Sequence, residues 1–395
     1  MTEYRRPLSS GEKSMLAFNE LRPPFVIQLT VEGQGELDPD ALYDALAEAT
    51  AANPGAAVIL EEGTTADFWV PGPAPTLTIV DAPDFAAQGT EDAPFLRWHL
   101  DAKTGPTCEL VYVTGKDHSY LIFRALHAVM DGQGTLLWAK DVMRCLRKEP
   151  PIGHSSMLDV QTLCKDELEN RRPLPKHDAL HPVGPPKFAS QGRHIWRRLR
   201  VERSLGIDAT GRVAMAIAQQ CYQNNPGPGP VRIHLPTDLR AYCRRERSTA
   251  NLFGSLFIDI APDSTPEAIG QRIVRALYER EGKRPAGLYA SEETGSLNAH
   301  RVKAFMDLTH LHNVGGYAFS TTLSHLGRLD GASLSAHSWR ATSALFIPLI
   351  ADACVVSLNG FDEHIEVTAG VGDRFDGELF LGMMEAVREE LLLSR

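Results

Sequence analysis

The chain has 395 residues, enough for two hydrophobic cores, so its length predicts two domains or two halves sharing an interface. With 43% hydrophobic and 23% charged residues, 32 Gly and 26 Pro, the composition is that of a folded globular protein and argues against long disordered tracts. A formal net charge of -10 supplies no field that would gather nucleic acid or an acidic membrane, so neither is expected as a partner.

Taken in chain order, "FVIQLTVEG" (Phe25 to Gly33) reads as a strand. In the segment that follows, Leu42, Ala45, Leu46 and Ala49 recur at helical spacing. Asp38 or Asp40 caps that helix, and Asn53-Pro54-Gly55 ends it. "AAVILEE" reads as the next strand. "CELVYVTG" and "SYLIFRALH" follow the Pro-rich "VPGPAP", and Lys116-Asp117-His118 between them suits a hairpin turn. After Gly134, Leu136, Leu137, Val142, Met143 and Leu146 again keep helical intervals. Residues 150–189 are rich in Pro and turn residues and mark the best boundary. Beyond it come a strand, "RHIWRRLRV", a helix, "IDATGRVAMAIAQQCYQ", and a strand, "VRIHLP", leading into "TDLRAY". This repeats the order strand, helix, strand and points to two similar α/β halves. "RHIWRRLR" reads as an edge strand guarded by its arginines.

Several kinds of chemistry lack their motifs. The chain has no phosphate-binding G-x-x-x-x-G-K-[ST] loop, no G-x-G-x-x-G after a strand, no G-x-S-x-G and no H-E-x-x-H. Six cysteines (Cys108, Cys145, Cys164, Cys221, Cys243 and Cys354) show neither C-x-x-C nor a matched His spacing, so they read as reduced thiols of a cytoplasmic protein. His177 and His181 stand four apart, but in a Pro-rich connector without an acidic partner in register, and no metal site is assigned there. The N-terminus lacks the apolar core of a signal peptide. The apolar run Ala344 to Leu358 is broken by Pro348 and Asp352 and is too short to span a bilayer. It reads as one or two buried strands, and no membrane insertion is expected.

One stretch stands out. In "YLIFRALHAVMDGQGTLLW" an apolar strand stops at His127, Asp131 and Gly132 follow four and five residues later, and an amphipathic helix begins. The plain reading is a strand cap and a turn. The functional reading is a histidine held at a strand-to-helix junction, where a neutral imidazole serves as a base.

"ALHAVMDGQG" resembles the H-x-x-x-D-G core of the superfamily of chloramphenicol acetyltransferases, peptide-synthetase condensation domains, alcohol acetyltransferases and polyketide-associated acyltransferases. Other segments match in order. They are "RPLSSGEKSMLAF", "LDPDALYDALAEATAANPGAAVIL", "HLPTDLRAYCRRERSTANLFGSL" with its Asp-Leu-Arg and Asn-x-x-Gly, and "TTLSHLGRLDG" in place of the Ser-Asn-x-Gly turn, with His325 at the Asn position. Two departures stand beside these. Leu126 occupies the place of the first of two adjacent histidines, and "LNGFDEHIEVTAGVG" stands where plant acyltransferases carry Asp-Phe-Gly-Trp-Gly.

The resemblance implies an α/β (α+β) fold of two chloramphenicol-acetyltransferase-like subdomains, a V-shaped pseudo-dimer with a central active-site tunnel. Residues 1–165 would form the N-terminal subdomain carrying the motif, 166–190 a Pro-rich connection and 191–395 the C-terminal subdomain. The implied activity is acyl transfer from a thioester to a hydroxyl or amine acceptor in specialised metabolism. His127 would be the base and then proton donor to the thiolate. No bound cofactor is implied. An acyl-CoA, or a phosphopantetheinyl thioester on an acyl or peptidyl carrier protein, would be co-substrate and a small molecule the acceptor. The alternatives are a free-standing amide-forming condensation domain, a cyclase-type member and a non-catalytic binder.

The same resemblance pairs Asp131 with an arginine of the second half, best matched by Arg240, as a structural link across the halves. Gly132 would turn the backbone beside the histidine and offer its N–H to an oxyanion. Ser320, Thr321 and Thr322 are the candidate hydroxyl donors, or else a strand with surface threonines. Asn251 and Gly254 shape a loop or line the channel. Arg240, Arg244, Arg245 and Arg247 form either a phosphate-binding cluster or a solvated turn.

Overall fold

The computed structural model describes residues 4–89, 93–154, 156–164, 176–187, 193–243, 247–283, 296–314, 316–348 and 354–393. Much of the expected connection 166–190 therefore lies outside the described residues, as do Arg244, Arg245 and part of the apolar run Ala344 to Leu358.

The first half opens with a short strand β1 (Arg6–Pro7) and the helix Ser10–Leu21. Ser9 and Glu12 form a reciprocal capping box there, and Arg6 holds Glu12 from behind, so the free N–H groups of the first turn are satisfied in the interior. β2 (Val26–Gly35) follows, then the helix Pro39–Ala52, which Asp38 caps with its side chain. β3 (Val58–Glu61) and β4 (Phe68–Pro71) join β1 in a small sheet of order β1-β4-β3. β5 (Thr76–Asp81), β6 (Cys108–Thr114) and β7 (Ser119–Leu126) complete the main sheet of this half. The hairpin β6–β7 turns at residues 115–118, as its turn residues predict. Every residue of β7 is buried, because the helix Gly132–Leu146 covers one face of the sheet and the second half faces the other.

In the second half, β8 (His194–Val201), β9 (Val231–Asp238), β10 (Phe253–Ile260), β11 (Thr321–Leu329), β13 (Val355–Phe361) and β14 (His364–Gly372) build a six-stranded sheet of order β10-β9-β11-β13-β14-β8. The helices Ala209–Asn224, Pro266–Tyr278 and Gly377–Leu393 pack over it. β8 is an edge strand, but its arginines do more than guard the edge. Arg198 is buried and bonded to both Glu366 and Glu32, the latter on β2 of the first half.

β12 (Trp339–Phe346) does not stay with its chain neighbours. It leaves the six-stranded sheet, pairs antiparallel with β2 and becomes the edge of a five-stranded sheet, order β12-β2-β7-β6-β5. The apolar run that begins at Ala344 thus ends one strand in the first half and supplies another, β13, to the second. Each half keeps its own core, and a third apolar cluster, including Phe95, Trp196 and Leu345, ties the two together. No helix among the described residues is long and apolar enough to cross a membrane, and none of the six cysteines is in a disulfide.

Candidate active site

A cavity of about 320 Å³ lies between the halves, and His127 is on its wall. The histidine is held by its backbone. β7 ends at Leu126, the His127 N–H donates to the Phe25 carbonyl at 3.0 Å, and the N–H groups of Val129 and Met130 fold back onto Leu126. From the second half, Asn251 Nδ2 donates to the His127 carbonyl at 2.5 Å. The imidazole stacks on Phe25 (centroids 5.5 Å apart) and lies 5.8 Å from Phe253. Its Nδ1 is buried without a hydrogen-bond partner, which leaves Nε2 as the ring nitrogen for a substrate. Burial between these rings lowers the pKa below the usual imidazole value. The carbonyls of His127 and Met130 and the charge of Asp131 oppose the shift more weakly. The resting ring is therefore neutral and able to accept a proton.

Asp131 points away from that ring. It caps the helix Gly132–Leu146 by accepting from the Gly134 N–H at 2.7 Å, and it accepts from the Leu252 N–H at 2.8 Å. Arg240 grips both of its oxygens, at 2.9 and 3.1 Å, and is itself fixed to Asp238 and to the Ser248 and Ala250 carbonyls. One buried bidentate pair thus links the histidine turn of the first half to residues 248–252 of the second.

The glycines divide the work differently from expectation. Gly132 is not in a left-handed conformation; it is the first residue of the helix and lines the cavity, where an added Cβ would meet Leu326 Cδ2 at 2.9 Å. Gly134 was not singled out from the sequence, yet it is the tighter position. A Cβ there would meet the Thr249 carbonyl oxygen at 2.2 Å, backbone that cannot simply rotate away.

Of the three hydroxyls expected near the reaction, Ser320 and Thr322 reach the cavity wall and Thr321 does not, because its Oγ1 donates to the Cys354 carbonyl at 2.9 Å. Ser320 Oγ accepts from the Arg232 N–H, and Thr322 Oγ1 lies 3.1 Å from His234 Nδ1. Gly254 sits in β10 opposite Thr237. His325 also lines the cavity and meets Thr210 at 3.1 Å; beyond it Gly327, at φ +77°, forms an irregularity between β11 and β13. The two described members of the arginine cluster are already engaged, while Arg244 and Arg245 lie outside the described residues. Arg240 is spent on Asp131, and Arg247 bonds Asp141 at 2.8 Å and the Gly153 carbonyl, so neither is available for phosphate.

Three further histidines line the cavity, and of these the sequence draws attention only to His177 and His181, as a pair without a metal role. His234 on β9 lines the cavity with both ring nitrogens engaged, Nδ1 by Thr322 and Nε2 by Ser255 at 2.9 Å. His177 and His181, from the connector, also lie on the wall, and His181 stacks on Phe375 at 4.2 Å. Among the described residues no group of three or more His, Cys, Asp or Glu side chains is placed to hold a metal ion, and no Lys or Arg lines the cavity.

This arrangement, two helix-covered sheets with a cavity between them and a strand exchanged across, is the fold of condensation domains, built of two chloramphenicol-acetyltransferase-like lobes. A doubly substituted starter condensation domain of rhizomide synthetase RzmA, in complex with C8-CoA and Leu-SNAC, superposes with a TM-score of 0.68 at 14% identity, over 99% of this chain and 94% of its own. The condensation domain of the monacolin K polyketide synthase MokA gives a TM-score of 0.63 at 13% identity, over 98% and 96%. No family model and no curated protein sequence matches.

Proposed function

We propose that the protein transfers an acyl group from a thioester to a hydroxyl or amine acceptor, with His127 as the general base. The observation that carries this reading is the His127 ring. It is stacked on Phe25 and held at both backbone ends, burial keeps its pKa below the ordinary imidazole value, and its Nδ1 is buried, which assigns Nε2 to the substrate. The acceptor gives its proton to Nε2 as it attacks the thioester carbon. The tetrahedral adduct then collapses, the C–S bond breaks, and the same proton goes to the departing sulfur. The N–H of Gly132, first in its helix and without an intrahelical partner, is the donor assigned to the oxyanion. Asp131 and Arg240 act as positioning residues.

The ligands of the neighbouring structure support the substrate class, since C8-CoA is an acyl thioester. Leu-SNAC in that complex favours amide formation on an amine as the second reading. The donor is free acyl-CoA or a carrier-bound thioester, and the test separates them. Free-thiol release is measured from a panel of acyl-CoA donors and of the same acyl groups on a phosphopantetheinylated carrier protein, with amine and alcohol acceptors, for wild type and a folded His127→Ala variant. Acceptor-dependent release that the variant loses is the expected result. Release only from carrier-bound donors would select the carrier form, and no release from either would leave a binding protein.

A further inference from the structure

The cavity wall carries donors that no described residue uses. Gln28, on β2, is buried, and its Oε1 accepts from Arg124 Nε at 2.9 Å. A guanidinium only donates, so the amide orientation follows, and Gln28 Nε2 is left buried without a partner. The arrangement is costly. Arg124 is fully buried, ion-paired with Glu109 and bonded to the Leu96 and Trp98 carbonyls, all within a strand that is otherwise core. Gln28, Arg124 and Glu109 stand in one cross-strand row, so a buried ion pair fixes the direction of one glutamine.

Ser357, on β13, is the second such group, buried on the wall with Oγ unpartnered. It lies near the same short segment as Gln28. The Gln28 carbonyl accepts from the Ile347 N–H, and Thr368, directly across from Ser357, donates to the Phe346 carbonyl. His181 is the third. Its Nδ1 accepts from the Val183 N–H, so the neutral ring carries its proton on Nε2, which is buried and unpartnered. Burial pushes this pKa down to about 3 and keeps the ring neutral.

Leaving buried donors unpaired costs about 1–3 kcal/mol each, and a plain hydrocarbon chain would leave all three unpaired. With no Lys or Arg among the described residues of the wall, an anionic partner is disfavoured as well. We infer that this cavity takes an oxygenated acyl chain, whose neutral hydroxyl or carbonyl oxygen is bound by Gln28 and Ser357.

The inference rests on the acyl-transfer reading for the identity of its ligand, and the test separates the two. Equilibrium binding to the His127→Ala protein is measured for octanoyl-CoA and for 3-hydroxy-, 5-hydroxy- and 3-oxo-octanoyl-CoA. At least one oxygenated chain is expected to bind about tenfold more tightly than octanoyl-CoA. Gln28→Glu keeps the oxygen that Arg124 needs and removes the NH₂ donor; Ser357→Ala removes a hydroxyl with little change of shape. Each is expected to cut that advantage by about tenfold. No difference among the four ligands overturns the inference, and so does an advantage that neither variant moves. A variant that weakens all four ligands equally overturns it too, because its donor would then serve the part they share. Wild-type thiol release distinguishes the failures: turnover without preference sinks the oxygenated-chain inference alone, whereas preference without turnover sinks the acyl-transfer reading and leaves the subsite standing.

Discussion

Two histidines line the same cavity from opposite halves, and their surroundings are nearly alike. His127 stacks on Phe25 and lies near Phe253; His234 lies between Phe257 and Phe319, each 5.1 Å away. Burial lowers both pKa values. The difference is in the hydrogen bonds. His234 has Thr322 on one nitrogen and Ser255 on the other, while His127 has no side-chain partner and is held through its backbone. A neutral imidazole becomes a base only when a nitrogen remains free for substrate, so His234 reads as a strut of the sheet and His127 is the residue we propose as the reactive group.

The sharpest way to break this comparison is to remove each ring. His127→Ala is expected to lower kcat/KM by about 10²–10⁴ with a near-wild-type melting temperature. His234→Ala strands two hydroxyls and is expected to cost about 1–3 kcal/mol of stability with the smaller loss of rate. Equal rate losses at unchanged stability would put both histidines in the reaction.

Next comes the clamp that holds the His127 turn. Asp131→Ala leaves Arg240 buried without its main partner, and urea unfolding should register about 3–5 kcal/mol. Activity should fall in step with that loss. A stable but inactive Asp131→Ala protein would instead place the carboxylate in the chemistry.

A pH titration compares the histidines in another way. His181 and His234 are pushed down to about 3 by burial, from an ordinary 6.5, so between these values the unfolded chain binds protons that the folded one refuses. Their contribution is intact above about pH 6.5 and lost progressively as pH falls toward 3. His181→Phe, which preserves a ring against Phe375, should flatten that acid limb in thermal melts. The acid side of the kcat/KM profile should follow His127 instead, with an apparent pKa below 6.5. A midpoint above that value would deny His127 the role.

The smallest effects separate the two glycines. Gly134→Ala pushes against the Thr249 backbone and is expected to cost about 1–3 kcal/mol, whereas Gly132→Ala meets only the end of the Leu326 side chain and should cost less. The reverse order in chemical denaturation would mean that the helix start, rather than the 247–251 segment, is the rigid partner.

Much of this site was legible in the residues. His127 and Asp131 stand out at a strand-to-helix junction, Arg240 is singled out only through the family resemblance of its Asp-Leu-Arg segment, and the structure brings all three together with Asn251. Gln28, Arg124 and His234 were legible only as oddities, each a polar residue inside an apolar run: "FVIQLTV", "YLIFRAL" and "VRIHLP". That signal marks a buried polar group but not its partner, because the partner lies on another strand whose register the run does not encode. Thr321 fails for the related reason that alternation along β11 sends it to the opposite face from Thr322.

What the sequence determined by itself is local: where strands and helices start, that the chain has two halves of similar order, and that a histidine ends one strand. These follow from periodicity, capping and turn chemistry within a few residues. Only the tertiary structure decided that β12 crosses to the other sheet, that one histidine keeps a free nitrogen while another loses both, and that a buried ion pair fixes which way the Gln28 amide is turned. Each of these depends on contacts between residues distant in the chain, and burial acts on whatever those contacts leave unpaired.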